Sequence, residues 1–341
     1  MPSIEKNSAA TICILNKQEL GSLRYSITEV LATVEGAYQA YAAGHSANPK
    51  KITAKPQDDH SVAYAMLGRD GERYTVGFKT SYKFNPNRAQ APEAEQTDQK
   101  YYTSLLLYDD TNGMPVALMD CSLVGALRTP AASALIAREC AHADARTVLV
   151  VGCGTQGQNA LPFLITAMPQ LERLIIHGNH PTAIAAAIER MRLCHPERRI
   201  EISTNLEASA RAADIIIGTA GPASEKTSGA VRHAWLRPGT LCILVGYGLH
   251  PELLHRADYR VATSAAQMRV TGTDLTDENG NLPEIDAELP DILTGKKIGR
   301  DHPDQRIFAY NSGMIITDIA LGRLFAERAQ AQGLGQTIQL W

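Results

Sequence analysis

The stretch that most constrains the fold is Thr147-Val-Leu-Val-Val-Gly-Cys-Gly-Thr-Gln-Gly157. Its first five residues are mostly β-branched and uncharged, which is typical of a strand buried on both faces. Gly152, Gly154 and Gly157 follow with the spacing G-x-G-x-x-G, and an apolar helical pattern comes next. These glycines suit a tight turn, close approach of phosphates and close helix packing. The stretch therefore predicts a dinucleotide site at a helix N-terminus, with a plain βα turn as the alternative.

The segment from 147 to 245 continues this alternation of short apolar strands and helices. The pattern predicts a parallel sheet with right-handed crossovers. The predicted strands are 147–151, 173–176, 200–203, 214–217 and 241–245, and the predicted helices are 155–167, 181–193 and 206–212.

The first ~120 residues have a different pattern, which predicts a mixed domain built on antiparallel strands. Asn112-Gly113 lies between two apolar runs and indicates a hairpin. Ser122 is predicted to cap a helix over 123–142. The predicted elements before it are strands at 11–15, 61–66, 73–79, 102–108 and 115–119, a helix at 27–43, and loops at 45–60 and 83–100.

The C-terminal third is less regular. The segment 271–302 is acidic and punctuated by glycine and proline, with a short helix at 287–294. A final amphipathic helix at 314–330 begins beyond the βα repeat, so we expect it to fold back on the N-terminal domain. The predicted fold class is α/β, with a Rossmann-type parallel sheet domain and a mixed α+β substrate and dimerisation domain.

Composition excludes several classes of protein. The 341 residues carry a net charge of −3 without a basic block, so nucleic acid is not an expected partner. No apolar run has transmembrane length, and the N-terminal residues lack the apolar segment of a signal peptide. The six cysteines form no C-x-x-C pair and the ten histidines show no metal-ligand spacing. We therefore expect a reduced, cytoplasmic protein without a structural metal.

The end of the second βα strand tests which dinucleotide is bound. Sites that prefer NAD carry an acidic residue there for the ribose hydroxyls. This chain has Ile176-His-Gly-Asn-His180, with no carboxylate to repel a 2′-phosphate. The segment favours NADP, or acceptance of both dinucleotides, although no arginine stands beside Gly178. Asn179 is assigned to the cofactor, with a simple turn residue as the alternative.

Several motifs together resemble the ornithine cyclodeaminase/μ-crystallin family. The resemblance covers nearly the whole chain from about residue 10, including the closing helix. The hairpin around Asn112-Gly113 and the end of the chain, Gly333-Leu-Gly-Gln-Thr-Ile-Gln-Leu340, are similar to opine-type synthases of siderophore and metallophore pathways. The motifs that carry it are Leu123-Val-Gly-Ala-Leu-Arg-Thr-Pro-Ala-Ala-Ser133, Ala213-Asp-Ile-Ile-Ile-Gly-Thr219, Trp235-Leu-Arg-Pro-Gly-Thr-Leu-Cys-Ile-Leu-Val-Gly246, Ala287-Glu-Leu-Pro-Asp-Ile-Leu-Thr-Gly295 and Asn311-Ser-Gly-Met314.

The resemblance implies a homodimer and hydride transfer at a carbon that bears nitrogen. It implies that residues 1–124 with 315–341 form a substrate-binding and dimerisation domain, and that 125–314 form an NAD(P)-binding Rossmann domain. The cofactor-binding residues expected from the motifs are Arg128, Thr129, Gly152, Gly154, Thr155, Gln156, Gly157, Asn179, Thr219, Ala220, Val245, Gly246 and Ser312.

Two residues carry the catalytic roles that the resemblance implies. Arg128 matches the family arginine near the substrate carboxylate and cofactor, and a guanidinium fork binds a carboxylate bidentately. Lys79 matches the lysine of the family's G-x-K strand and would move a proton to or from the substrate nitrogen. A surface arginine and a solvated lysine are the alternatives, and Lys83 is a nearby competitor.

Two positions depart from the family pattern. The family's catalytic aspartate follows the fifth Rossmann strand, where this chain has Gly248. His250 or Tyr247 are possible substitutes. On the strand before Lys79, Val62 stands where the family often has an arginine, and Arg69 or Arg73 are possible replacements.

The leading functional hypothesis is an NAD(P)-dependent oxidoreductase that acts on an amino acid, an imino acid or an opine-like conjugate, without ring closure because Gly248 replaces the aspartate. The first alternative is a cyclodeaminase that recycles its hydride internally. The second is a non-catalytic, μ-crystallin-like protein that binds NADPH and a small ligand.

Overall fold

The computed structural model describes residues 10–57, 60–84, 101–221 and 229–341. The chain divides into two units. Unit 1 comprises Met1–Tyr25, Ala43–Gly125 and Ile315–Trp341, and unit 2 comprises Ser26–Ala42 and Ala126–Met314. The limits predicted from the sequence were 1–124 with 315–341 and 125–314, and the segment 26–42, which was expected in the first of these, groups with unit 2.

Unit 1 is built on a seven-stranded sheet in the order β15-β1-β6-β5-β4-β3-β2. All neighbouring strands are antiparallel except β1 and β6, which are parallel. The sheet is therefore the mixed layer that the hairpin signals predicted. Its strands are β1 Thr11–Leu15, β2 Ile52–Ala54, β3 Ser61–Asp70, β4 Thr75–Phe84, β5 Tyr101–Asp109, β6 Pro115–Asp120 and β15 Gln336–Gln339.

One face of this sheet is covered by the last helix, α10 (Ile315–Ala331). Gly77 and Gly68 on the sheet leave room for Ile319 and Ile315 of the helix, because a Cβ at either glycine would lie 2.5–2.6 Å from those side chains. Glycine at these strand positions thus lets backbone and helix approach closely. Helix α1 (Lys17–Gly21), also in unit 1, opens with a capping box between Asn16 and Glu19.

Unit 2 is built on an eight-stranded sheet in the order β13-β12-β14-β11-β10-β7-β8-β9. Every neighbouring pair is parallel, as the βα alternation predicted. The strands are β7 Thr147–Val151, β8 Arg173–His177, β9 Ile200–Ile202, β10 Ile215–Gly218, β11 Leu241–Leu244, β12 Tyr259–Ala262, β13 Ala287–Glu288 and β14 Ile307–Tyr310.

Helix α2 (Ile27–Ala42) belongs to unit 2. An ion pair of 2.6 Å between Glu35 and Arg138 joins it to α3 (Ser122–Cys140). The side chain of Lys296 also donates a hydrogen bond to the carbonyl of Ala42 at the end of α2. These contacts explain why α2 groups with this unit. The helices are α2 Ile27–Ala42, α3 Ser122–Cys140, which begins in unit 1, α4 Thr155–Ala167, α5 Pro181–Cys194, α6 Leu206–Ala212, α7 Glu252–His255, α8 Ala265–Thr271 and α9 Leu289–Leu293.

Three details correct the sequence-based picture. Ser122 is the first residue of α3 and not its cap; its N–H donates to Asp120 Oδ1 at 2.9 Å. The predicted loop 45–60 contains strand β2, and strands β12, β13, β14 and β15 were not predicted. Within the predicted loop 83–100, residues 85–100 lie outside the described part of the chain.

Candidate active site

The glycine-rich turn connects β7 to α4 in unit 2. Gly152 has φ +109°, and a Cβ there would lie 2.6 Å from Ala220 Cα. A Cβ on Gly157 would overlap the carbonyl oxygen of Gly152. Only glycine satisfies both positions, because the first needs a left-handed backbone and the second needs contact with backbone.

The middle glycine of the motif, Gly154, has open space around it. It is the N-cap residue of α4, and no side chain caps the helix there. A Cβ on Gly154 would meet nothing within 4 Å. The first turn of α4, with Thr155 and Gln156, therefore opens on empty space beside uncapped N–H groups. This geometry fits a phosphate, since such N–H groups and the helix dipole favour negative charge.

A cavity of about 150 Å³ extends from this turn to the end of β8. It brings together five of the predicted cofactor residues, namely Gly152, Gly154, Asn179, Thr219 and Ala220. Its residues are Val151, Gly152, Cys153, Gly154, His177, Gly178, Asn179, His180, Ala183, Thr219, Ala220 and Gly221. The cavity lies at the carboxyl ends of parallel strands, where ligands bind in open α/β sheets.

At the β8 end of this cavity, Gly178 packs closely against Cys153. A Cβ on Gly178 would overlap the Sγ atom of Cys153. Cys153 is buried, and burial raises the pKa of its thiol to about 11, so the group is neutral. Burial also lowers the pKa of His177. The lining at this point is therefore uncharged at neutral pH, and the space for an acidic side chain at position 178 is already filled.

The opposite wall is fixed by backbone hydrogen bonds. Thr219 Oγ1 donates to the carbonyl of Gly152 at 3.0 Å. Ala220 and Tyr247 exchange hydrogen bonds of 3.0 and 2.9 Å. The N–H groups of Val245 and Gly246 both donate to the carbonyl of Gly218. Val245 and Gly246 do not line the cavity beside the glycine-rich turn. They line a second cavity, at the carboxyl ends of β11 and β14.

Asn311 organises the loop that follows β14, and the sequence did not single it out as a site residue. Its buried side chain donates to the carbonyl of Thr129 at 2.9 Å and to Ser133 Oγ at 3.0 Å. Next to it, Ser312 Oγ lies 2.9 Å from Thr263 Oγ1. Asn311 thus ties this loop to α3, the helix that carries Arg128.

Arg128 packs against the same loop. Gly313 has φ +68°, and a Cβ there would overlap the guanidinium Nη1 of Arg128 and lie 2.8 Å from its Cζ. The absence of a side chain at Gly313 therefore lets the guanidinium pack directly against this loop. This contact argues against a freely solvated arginine, the alternative considered from sequence.

The position expected to carry an aspartate is closed. Gly248 has φ +101°, and a Cβ there would lie 2.8 Å from Val151 Cγ1. A side chain at this position would need both an unfavourable backbone conformation and space that Val151 occupies. Of the possible substitutes, Tyr247 donates to Asp274 Oδ2 at 2.8 Å, and His250 Nδ1 accepts from the N–H of Glu252 at 3.3 Å.

Unit 1 contains a buried ion pair around Lys79. Lys79 Nζ donates to Asp318 Oδ1 at 2.7 Å, and the two residues are 9% and 1% exposed. Lys79 lies on β4 and Asp318 in the first turn of α10. Asp318 was not predicted, although a lone carboxylate within an apolar helix stripe is a usable signal. The aspartate stabilises the ammonium form of the lysine.

Other basic residues near β3 and β4 are arranged differently from the sequence expectations. Arg69 pairs with Asp110 at 2.5 Å and Arg73 with Glu327 at 2.9 Å, so neither is available to replace a carboxylate-binding arginine. Lys83 is exposed. Lys51, which was not predicted, has its pKa lowered by burial and then by the charge of Lys79.

Within residues 10–57, 60–84, 101–221 and 229–341, no group of three or more histidine, cysteine or acidic side chains is placed to hold a metal ion. In the same ranges, no helix combines the length and apolarity that crossing a membrane requires.

The chain is similar, in sequence or in fold, to several known dehydrogenases and reductases. The chain is 25% identical to the N-((2S)-2-amino-2-carboxyethyl)-L-glutamate dehydrogenase of Staphylococcus aureus, over 70% of this chain and 71% of that protein. It resembles the Thermococcus litoralis Δ1-pyrroline-2-carboxylate reductase solved with NADH and L-proline (TM-score 0.78, 21% identity, 96% and 100% coverage). It also resembles an archaeal alanine dehydrogenase dimer with bound NAD (TM-score 0.78, 21% identity, 97% and 100% coverage).

At these identities the solved structures establish the fold. The sequence model of the ornithine cyclodeaminase/mu-crystallin family matches residues 12–333, which is nearly the whole chain. The chain therefore belongs to the ornithine cyclodeaminase/mu-crystallin family.

Proposed function

We propose that the protein is an NAD(P)-dependent oxidoreductase that transfers a hydride at the nitrogen-bearing α-carbon of an amino acid, imino acid or opine-like conjugate. The observation that carries the proposal is the open, uncapped start of α4 at Gly154, which offers a phosphate-binding cradle in a family whose members include such dehydrogenases and reductases.

The dinucleotide fits the residues present. Gly152 to Gly157 would hold its phosphates, and the lining around Asn179 would hold its adenosine end. When bound, the nicotinamide supplies or accepts the hydride. The neutral lining at Gly178 and Cys153 favours acceptance of both NADH and NADPH, because no carboxylate repels a 2′-phosphate.

Lys79 is the proposed proton donor to the substrate nitrogen. In the reductive direction, the α-carbon gains a hydride, the C=N π electrons move to nitrogen, and nitrogen takes a proton. Lys79 Nζ, which the hydrogen bond to Asp318 holds in place at 2.7 Å, is the group proposed to give that proton. Arg128 is proposed to bind the substrate carboxylate, held in position by Gly313.

Ring closure is not part of the proposal. A cyclodeaminase of this family needs the carboxylate that Gly248 lacks, and the structure leaves no space for one at that position. The reaction proposed is therefore net oxidation or reduction.

A homodimer is part of the proposal. The face of the seven-stranded sheet opposite α10 exposes Leu67, Phe78, Tyr82 and Leu118. An apolar sheet face of this kind is covered in stable proteins, and a second copy of the chain is the proposed cover. The archaeal alanine dehydrogenase that this chain resembles is a dimer. Sedimentation should give a dimer for the natural protein and a monomer for Phe78→Asp; a wild-type monomer contradicts this part.

The function is tested by following NAD(P)H absorbance with a panel of amino acids, and with 2-keto acids plus ammonia or amines. Net formation or consumption of the reduced cofactor supports the proposal. A cyclic product and ammonia without net change would replace it with cyclodeamination. Binding of NADPH without turnover of any panel member would favour the binding-protein alternative.

A further inference from the structure

The start of α10 is held by a side chain from a distant part of unit 1. Asn48 Oδ1 accepts a hydrogen bond of 2.8 Å from the N–H of Ile315, the first residue of the helix. The first N–H groups of a helix have no partner within it, and an asparagine oxygen is among the best caps for them. Asn48 stands 267 positions earlier in the chain. It therefore caps α10 through the fold of unit 1 and not from the preceding turn of chain.

The 45–48 segment, which carries Asn48, is itself fixed to β3. Ala47 and Arg69 exchange backbone hydrogen bonds of 2.9 and 3.0 Å. The guanidinium of Arg69 also donates to the carbonyl of His45 at 2.5 Å. Asn48 thus presents its oxygen from a backbone that is already ordered, so the cap forms with little further loss of conformational entropy.

Strand β3 brings this segment and the helix start to one point. A Cβ on Gly68 would lie 2.7 Å from the carbonyl oxygen of Ala47 and 2.6 Å from Ile315 Cγ2. The glycine therefore allows the strand, the segment and the helix to approach closely. The hydrogen bond from Ile315 to Asn48 is the polar part of this three-way contact.

The same helical turn carries the partner of Lys79. Asp318 stands three positions after Ile315, and residues three apart lie on the same side of a helix. Ile315 packs against Gly68 of β3, while Asp318 accepts from Lys79 Nζ of the neighbouring strand β4 at 2.7 Å. Because Asp318 is 1% exposed, its carboxylate keeps this contact only where the first turn of α10 stays in place.

We propose that Asn48 is a positioning residue for the reaction: by capping α10 it fixes the turn that holds Asp318, and through Asp318 it fixes Lys79. The inference rests on the proposed function, in which Lys79 gives the proton to the substrate nitrogen. A helix that loses its cap frays at that end. Lys79 would then spend less time in the productive position, which lowers kcat.

Three variants separate this role from a general effect on stability. Asn48→Ala removes the cap. Asn48→Asp keeps an acceptor oxygen at the helix start, where a negative charge is also favourable. Asn16→Ala is the matched control, because Asn16 caps α1 by accepting from the N–H of Glu19 at 2.9 Å. Helix α1 carries neither of the proposed catalytic residues.

The first measurement is hydrogen–deuterium exchange of the full chain, read by mass spectrometry on the peptide that covers 315–322. Exchange there should be about 2–30-fold faster in Asn48→Ala than in the wild type, the range expected for loss of an N-cap. Asn48→Asp and Asn16→Ala should leave it unchanged. This readout needs no substrate, so it tests the cap independently of the proposed function.

The second measurement is steady-state kinetics with the best substrate of the panel. Asn48→Ala should lower kcat by about 2–30-fold and leave the dissociation constant of NADH unchanged, because the glycine-rich turn lies in unit 2. Asn48→Asp should restore kcat to within about 2-fold of the wild type, and Asn16→Ala should not change it. In an Asp318→Asn background, Asn48→Ala should cause no further loss, since the cap acts through Asp318.

Equal kcat in Asn48→Ala and the wild type overturns the inference, as does unchanged exchange at 315–322. Losses that multiply in the Asp318→Asn background overturn it as well, because Asn48 would then act by another route. The comparison of Asn48→Asp with Asn48→Ala decides the question where Asp318→Asn has no turnover, and equal activity of the two overturns the inference. Turnover that Asn48→Ala does not affect leaves the proposed function standing. Absence of turnover on the whole panel removes the proposed function and this inference with it, whatever the exchange shows.

Discussion

The guanidinium of Arg128 occupies the space that a side chain on Gly313 would fill. Gly313→Ala should therefore displace Arg128, and a misplaced binding group lowers turnover by about 10–100-fold. The measurement is kcat/KM with the best substrate of the panel.

Gly295→Ala is the matched control for this variant. Gly295 also has a positive φ, +73°, but a Cβ there meets nothing within 4 Å. Both variants should lose about 1 kcal/mol of stability from backbone strain, and only Gly313→Ala should lose activity. Equal kinetics in the two variants would contradict a positioning role for Gly313.

The buried pair of Lys79 and Asp318 predicts non-additive stability. Lys79→Met or Asp318→Leu alone leaves an uncompensated buried charge and should lower the free energy of unfolding by about 3–5 kcal/mol. The double variant should regain most of that loss in urea unfolding. All three should lack turnover, and Lys79→Met should keep NADH binding. A double variant with turnover would exclude Lys79 as the proton donor.

The interlock of Cys153 and Gly178 predicts how nucleotide preference can be changed. Gly178→Asp alone should weaken binding of both dinucleotides, because its Cβ meets the Cys153 thiol. Cys153→Ala with Gly178→Asp frees that space and should favour NADH over NADPH by about 10–100-fold, since a carboxylate accepts from the ribose and repels a 2′-phosphate.

Fluorescence titration with NADH and NADPH measures this preference. Cys153→Ala alone is the control and should bind both dinucleotides as the natural protein does. Wild-type discrimination of more than 100-fold in either direction would refute the neutral-site explanation.

The closed position at Gly248 predicts that an aspartate cannot simply be restored. Gly248→Asp should lower the thermal midpoint and should not form a cyclic product from a diamino acid. Gly280→Asp is the control, because Gly280 has φ +79° and open space around it. Cyclic product from a well-folded Gly248→Asp protein would show that Val151 yields and that ring closure is accessible.

Asp70 predicts a pH dependence of stability. Burial raises its pKa to about 6, against hydrogen bonds from the N–H groups of Glu72 and Arg73. The native state thus binds a proton more tightly than the unfolded chain. The stabilisation is complete below the unfolded pKa, near 4, and is lost as pH rises through about 6.

Asp70→Asn has no such titration. Its stability relative to the wild type should rise by about 2–3 kcal/mol between pH 4 and pH 7, measured by urea unfolding. Glu72→Gln, at an exposed neighbouring position, should show a flat difference. A flat difference for Asp70→Asn as well would mean that Asp70 titrates normally.

The parts of the fold that local sequence determines were predictable. The limits of β7 and α4 follow from a β-branched run and three glycines, and both were predicted to the residue. Strands β12 and β14 lie beyond residue 245, where the regular alternation of strands and helices that identified the earlier strands ends. Strand β15 is exposed along its length, so its pairing with β1 has no apolar signature.

The site shows the same division. The glycine turn is local and was found, whereas Asp318 meets Lys79 across 239 positions of sequence, and no local pattern reports such a pair. The sequence showed that positions 178 and 248 hold glycine instead of an acidic residue. Only the three-dimensional contacts with Val151 and Cys153 show that both positions are sterically closed.

The chain passes between its two units at residues 25–26, 42–43, 125–126 and 314–315. Neither unit is therefore a contiguous module that recombination could exchange in one event. A gene fusion or domain transplant would have to replace several separate segments together. New specificities in a chain with this connectivity are expected to arise by point substitutions at positions such as Cys153, and chimaeras with relatives should be built on all four junctions at once.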